Sequence, residues 1–257
     1  MKDAIERQTP NNFLFSRFVL AVVVMLLIRP QCIKYFNKDL LLRGSAAGLF
    51  LGGGYILQTL GLKLTDVAIT GFITGLYVVF TPLIAAVVLK ARITVFTWVC
   101  VGIATIGLGL LSIKGWEIGD GELLVLASAF AFGAHIIALG KWSSGRDVYA
   151  MTVVQLAMCA LLSGIASIPE GYSAPPDTGV WAVVIFTAVV CTAVAFVVQT
   201  WSQAHMTTTK VAVILTMEVV FAAVFAMIFG GERLTLQATI GGMLVLLSMF
   251  IIVLKSS

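Results

Sequence analysis

Apolar residues dominate nine stretches of this chain, which follow one another with almost no polar sequence between them. The stretches run 12–29, 40–61, 66–89, 94–113, 121–140, 149–168, 179–200, 208–229 and 235–254. Each holds about 18–24 residues, and a helix of about 20 apolar residues crosses a bilayer core. The pattern predicts an all-α membrane protein with nine transmembrane helices. The longest joints are Arg29–Asp39 and Pro169–Thr178. The second, PEGYSAPPDT, is rich in Pro and Gly and predicts a loop. No stretch has room for a soluble domain. The function classes left are transport, a channel, intramembrane enzymology and a membrane scaffold.

Composition agrees with a lipid solvent. The 257 residues are 60% hydrophobic and only 11% charged, with a mean hydropathy of +1.07. A soluble domain carries about twice that charge. The net charge of +4 sits as single basic residues in loops rather than in a patch, so no nucleic-acid partner is expected. The lipid bilayer is the expected surrounding, and the sequence does not address oligomeric state.

The loop charges predict an orientation. Arg29, Lys34, Lys38, Arg43, Lys90, Arg92, Lys141, Arg146, Lys210 and Lys255 fall in alternate joints. The positive-inside rule places them in the cytoplasm. Asp66, Glu117, Asp120, Glu122, Glu170, Asp177 and Glu232 gather opposite. The C-terminus is then cytoplasmic and the visible N-terminus outside. The expected location is the plasma membrane, of the bacterial inner-membrane kind. The opening MKDAIERQTPNN has no apolar core and does not resemble a signal peptide.

The chain also partly repeats itself. With a shift of 141 residues, Gln58-Thr59 falls on Gln199-Thr200, Val78-Val79-Phe80 on Val219-Val220-Phe221, and Arg92-Ile93-Thr94 on Arg233-Leu234-Thr235. The two Arg-x-Thr turns fall on opposite membrane sides in the predicted topology. Five spans per repeat would produce that inversion, and inverted repeats are a transporter signature. The repeat therefore predicts ten helices. The counterpart of 121–140 would precede Met1, so the first helix is expected to be missing from this sequence.

Three segments carry a resemblance. MEVVFAAVFAMIFGGERLTLQATIGGMLVLLS (217–248) resembles the closing motif of EamA-like transporters in the drug/metabolite transporter (DMT) superfamily. LYVVFTPLIAAVVLKARIT (76–94) is similar to its first-half copy, and FSRFVLAVVVMLLI (15–28) to a helix with an Arg near its start. The resemblance implies two inverted five-helix repeats, here 1–113 and 121–257, and both termini in the cytoplasm. It implies a central pathway for small metabolites or drugs, often for efflux. Val219 replaces a frequent Pro, and the turn Lys90-Ala91-Arg92 lacks the acidic residue found there in the family.

Ionisable residues inside spans are costly unless they face protein or water. Arg17, His135 and Glu218 are such residues. Burial among Met217 and Val219 disfavours a charged Glu218. It either exchanges a proton during transport or, kept neutral, bonds a neighbouring helix. His135, which titrates near neutral pH when unperturbed, either couples protons or is a satisfied interior group. Arg17 either snorkels outward, pairs with a carboxylate, or binds an anionic substrate. Gln58 and Gln199 are repeat counterparts, and Gln155 is similar. They suit a pathway between repeats or plain interhelical hydrogen bonds. Tyr55 and Tyr77 add amphipathic aromatic surface. Tyr55 lies one turn before Gln58 on the same helix face. Trp201, at a span end, suits the interfacial belt.

Gly44, Gly48 and Gly52 make two overlapping GxxxG steps, and Gly71 and Gly75 make another. Such small faces let helices approach closely, either for packing or as a sliding surface. Pro82 removes a helix hydrogen bond and is expected to kink its span. Cys32, Cys100, Cys159 and Cys191 have no metal-ligand spacing and read as small hydrophobes. No GxxxxGK[ST], HExxH or GxSxG motif occurs, so no cofactor, metal or enzymatic activity is expected. The reading is a secondary transporter of small molecules, with a proton as candidate coupling ion. The alternative is a non-transporting scaffold or an intramembrane enzyme.

Overall fold

The computed structural model describes residues 7–90, 95–114, 117–205 and 235–255, together with Val211, Leu215, Phe225, Met227 and Ile228. Its helices are α1 (Pro10–Ile28), α2 (Lys38–Leu64), α3 (Val67–Gly75), α4 (Tyr77–Leu89), α5 (Val95–Ser112), α6 (Asp120–Trp142), α7 (Val148–Ser167), α8 (Thr178–Ala188), α9 (Ala195–His205) and α10 (Leu236–Lys255). A two-residue antiparallel pair joins α5 to α6, with Ile113 opposite Ile118 and Lys114 opposite Glu117. Six described segments are long and apolar enough to cross a membrane: Pro10–Ile28, Lys38–Leu64, Ile69–Val88, Asp120–Trp142, Val148–Glu170 and Thr178–His205. Apart from five positions, the expected stretch 208–229 lies outside the described residues.

Local chemistry sets the helix starts. Pro10 opens α1 after Thr9, whose backbone is extended; a first-turn Pro forfeits no hydrogen bond. Asp147 and Asp177 cap α7 and α8, accepting from the Ala150 and Val180 amides at 2.8 and 2.9 Å. A carboxylate there satisfies an otherwise orphaned N–H. The joint after α1 is a tight 3₁₀ turn, Pro30–Tyr35.

Two of the described spans depart from uniform α-helix. The stretch 66–89 breaks at Leu76, whose amide bonds Ile73 O at 3.1 Å in a tighter turn. Gly71 and Gly75 weaken the helix just before that point. Pro82 lies within α4, after this break. The other departure is Val189–Val194, one π-helical stretch that joins α8 to α9. At the end of α4, Lys90 is left-handed with φ 53°, a conformation that glycine adopts most readily. Its counterpart under the 141-residue shift is Gly231.

The chain forms two compact units, 1–56 with 138–206 and 57–137 with 207–257. Each unit therefore draws on both halves of the sequence. In the first, α1 lies along α7, with α8 and α9 beside them. Phe13, Leu14, Phe18, Met25, Met151 and Leu156 are buried there. In the second, α5 lies along α10, and Ile73, Val125, Ala129, Val245 and Met249 are fully enclosed. Leu27, Leu42, Trp98, Ile106 and Phe186 remain exposed, as expected where the solvent is lipid.

The first unit has two polar ends. At one, Arg7 pairs with Asp177 at 2.8 Å. Gln8 and Asn12 donate there to Ser173 O and Gly171 O at 2.8 and 3.0 Å. At the other, Arg29 pairs with Asp147 at 3.0 Å, and Arg146 Nε donates to Asp39 at 2.8 Å. The N-terminal segment thus shares an end with the 168–178 loop. The joints 29–39 and 141–148 share the opposite end, as the predicted alternation requires.

Candidate functional site

A buried charged group inside the first unit stands on α1. Its second turn carries Arg17, only 4% exposed. Arg17 Nε donates to Thr192 Oγ1 at 2.7 Å, and Nη2 to Cys191 O at 3.4 Å. Both acceptors lie in the π-helical stretch. The wide π turn takes carbonyls out of the ordinary ladder. Thr192 Oγ1 donates to Thr187 O at 2.8 Å, so one hydroxyl serves both a backbone carbonyl and the guanidinium. The Tyr55 ring lies 5.0 Å and the Phe18 ring 5.6 Å from Arg17 Cζ. Phe18 and Phe196 meet Tyr55 edge-on at 5.4 and 6.1 Å. The π-helical stretch and α2 therefore converge with α1 on one guanidinium.

Further polar groups lie within the same unit. The Thr152 and Thr200 hydroxyls are 3.1 Å apart, and buried Gln155 donates to Met151 O at 3.3 Å. The close approach of α2 to α7 depends on missing side chains. A Cβ at Gly48 would stand 2.6 Å from Gln155 O, one at Gly44 2.8 Å from Val154, and one at Gly52 2.9 Å from Leu162. The Cys159 thiol lies 3.6 Å from Gly48 O. Buried Gln203 has neither amide atom hydrogen-bonded, and Gln199 is half-buried beside it on α9.

The second unit holds a separate set. Gln58 Nε2 donates to Thr74 Oγ1 at 3.0 Å. His135 and Tyr77 are buried. Gly71 and Gly75 lie on α3, before the break. Glu122, which sequence reasoning left among the outer acids, is only 7% exposed and accepts from Thr65 Oγ1 at 2.9 Å. Its place in the first turn of α6 was the available signal, since a carboxylate there faces the helix N-terminus. Gly107 and Gly242 were also missed. A Cβ on them would stand 2.7 Å from Gly241 O and 2.6 Å from Phe72.

Tyr55 and Gln58 share a helix face but work apart, Tyr55 in the first unit and Gln58 in the second. Trp201 is exposed and stacks on His205 at 4.8 Å. Glu218 lies outside the described residues. Among the described residues no cluster of His, Cys, Asp or Glu could hold a metal. At the loops, Asp177 sits below the usual carboxylate range, chiefly because it accepts from the Val180 amide, with Arg7 adding its charge. The Cys32 thiol is pushed up by burial.

The EamA-like transporter family model matches residues 1–113 and 120–254. The chain belongs to the EamA-like transporter family. A protein of Archaeoglobus fulgidus named "Uncharacterized transporter" is 31% identical over 99% of this chain and 80% of its own length. A second of the same name and organism is 22% identical over 99% of this chain and 91% of its own. One solved crystal structure superposes with a TM-score of 0.70 at 17% identity, covering 97% of this chain and 88% of that one; that likeness shows the fold. Membership makes the chain a multi-pass membrane protein of a transporter family, with a small-molecule substrate and a bilayer around it.

Proposed function

We propose that this EamA-like protein is a secondary carrier that exports small metabolites or drugs by alternating access between two inverted halves, 1–113 and 121–257. The observation that carries the reading is Arg17, a charged side chain 4% exposed within a membrane-spanning helix. A scaffold has no use for so costly a group, and an intramembrane enzyme needs a nucleophile–base pair beside it. The repeat supports the halves: under the 141-residue shift α1 answers to α7 and α5 to α10. These counterparts pack together, the first pair in one unit and the second pair in the other.

Glu218 and His135 are the groups we assign to proton exchange, with Arg17, Tyr55, Tyr77, Gln58, Gln155 and Gln199 as pathway groups. The glycines at 44, 48, 52, 71 and 75 allow helices to pack closely. A thermal-shift panel of amino acids, amines, organic acids and drugs on the purified protein identifies compounds it holds. Counterflow of a stabilising compound in proteoliposomes then tests carriage. Accelerated exchange over protein-free vesicles is expected. Binding without exchange for every compound would mark a scaffold.

A further inference from the structure

We propose that Arg17 anchors a ligand site in the first unit, and that its ligand is a small organic carboxylate. The assignment deepens the carrier reading and rests on it. A buried cation is costly unless an anion or a full set of hydrogen bonds offsets it. Arg17 has neither among the described residues. Its partners are a hydroxyl and a backbone carbonyl, the latter at a long 3.4 Å, plus two ring faces. Nη1 donates to no described acceptor. The carboxylates of this unit that lie near cations are engaged elsewhere: Asp39 with Arg43 and Arg146, Asp147 with Arg29, and Asp177 with Arg7. Glu170 is exposed in the loop beyond α7.

The geometry selects the ligand class. Nε is tied to Thr192, which fixes the guanidinium plane and leaves the Nη edge for a carboxylate; guanidinium–carboxylate pairs are frequently two-pronged. The weak Nη2 contact to Cys191 O is the one a carboxylate oxygen would replace. A single positive charge beside apolar rings suits a monoanion with a carbon skeleton. A phosphate dianion would need a second cation, and among the described Lys and Arg residues only Arg17 is buried. Tyr55, half-buried and in edge contact with Phe18 and Phe196, offers the surface for that skeleton.

The test compares acids with their uncharged amides on the full chain in detergent, read by thermal unfolding at constant ionic strength. The probes are benzoate against benzamide, hexanoate against hexanamide, and inorganic phosphate. Both acids are expected to raise the unfolding temperature in a saturable way, while the amides and phosphate leave it unmoved. Arg17→Gln should weaken the acid response at least tenfold. Arg17→Lys should keep a preference for acid over amide at reduced strength, because it keeps the charge and loses the fork. If the Gln variant does not fold, the wild-type acid–amide comparison and the Lys variant still decide. Equal responses to acid and amide, including none to either, overturn the assignment, and so does a response to phosphate alone. Counterflow separates the two proposals: exchange of amines or neutral compounds without acid binding sinks this site and leaves the carrier standing. Acid binding with no exchange of any compound sinks the carrier and leaves the site.

Discussion

Gly48 and Asp177 illustrate what single residues do here. Gly48 has its hydrogen where a Cβ would stand 2.6 Å from a backbone oxygen and 2.7 Å from the Met158 side chain. The Gly48→Leu variant should therefore push α2 from α7 and lose about 1–3 kcal/mol, the usual range for overpacking. Its unfolding temperature in detergent checks this; an unchanged value would mean the two helices are free to separate. Asp177 is held in its charged form by the Val180 amide and then by Arg7. Its folded pKa is depressed, so its stabilisation is present above the ordinary aspartate value of about 3.9 and is lost as pH falls through the lower folded value. Asp177→Asn should be less stable than the parent at pH 7, and the gap should close on acidification below about pH 4. A gap that persists unchanged in acid would show that the carboxylate charge is not what stabilises that end. The glycine stripe was legible in sequence because its spacing is helical. Arg17 was legible as an anomaly in an apolar run, but its partners in the π-helical stretch were not, because they lie about 175 residues away and nothing local marks them.

At the scale of elements, most helices follow the apolar stretches closely, since length and hydropathy alone decide what a bilayer can hold. The departures come from backbone detail. The break at Leu76 follows glycines, whereas Pro82, the stronger sequence signal, stays inside a helix. The π-helical stretch has no sequence mark of its own, because one extra residue in a turn alters no hydropathy. Thr192 is its internal stay, bonding both Thr187 O and Arg17. Thr192→Val removes that hydroxyl at nearly constant volume and takes from Arg17 Nε its acceptor and from Thr187 O a donor. The expected cost is about 1–3 kcal/mol, the penalty for an orphaned buried group, together with faster amide exchange across 187–196. Unchanged exchange there would mean the wide turn is held by neighbouring packing alone.

At the scale of the molecule, the two proposed repeats and the two compact units are different divisions of one chain. The first is visible as matched residues 141 apart; the second needed the fold, because helices of both halves share each core. The basic loops give the orientation proposed here, with 29–39 and 141–148 cytoplasmic. Ser143 is fully buried, so the reporter belongs at Ser144, which is exposed. A Ser144→Cys variant with the native cysteines replaced should resist an impermeant thiol reagent added to intact cells and react once the cells are opened. Ready labelling from outside would invert the topology.

Whether solute crosses the membrane through this chain is measured directly by a proton-gradient flux assay in proteoliposomes. The compound used is the one that stabilises the purified protein most. We expect the wild type to accumulate it under an imposed pH gradient. Glu218→Gln keeps shape and hydrogen bonding while removing titration; it should insert and exchange the compound yet fail to concentrate it. Wild-type vesicles that move no more solute than empty ones, with or without the gradient, would contradict the account.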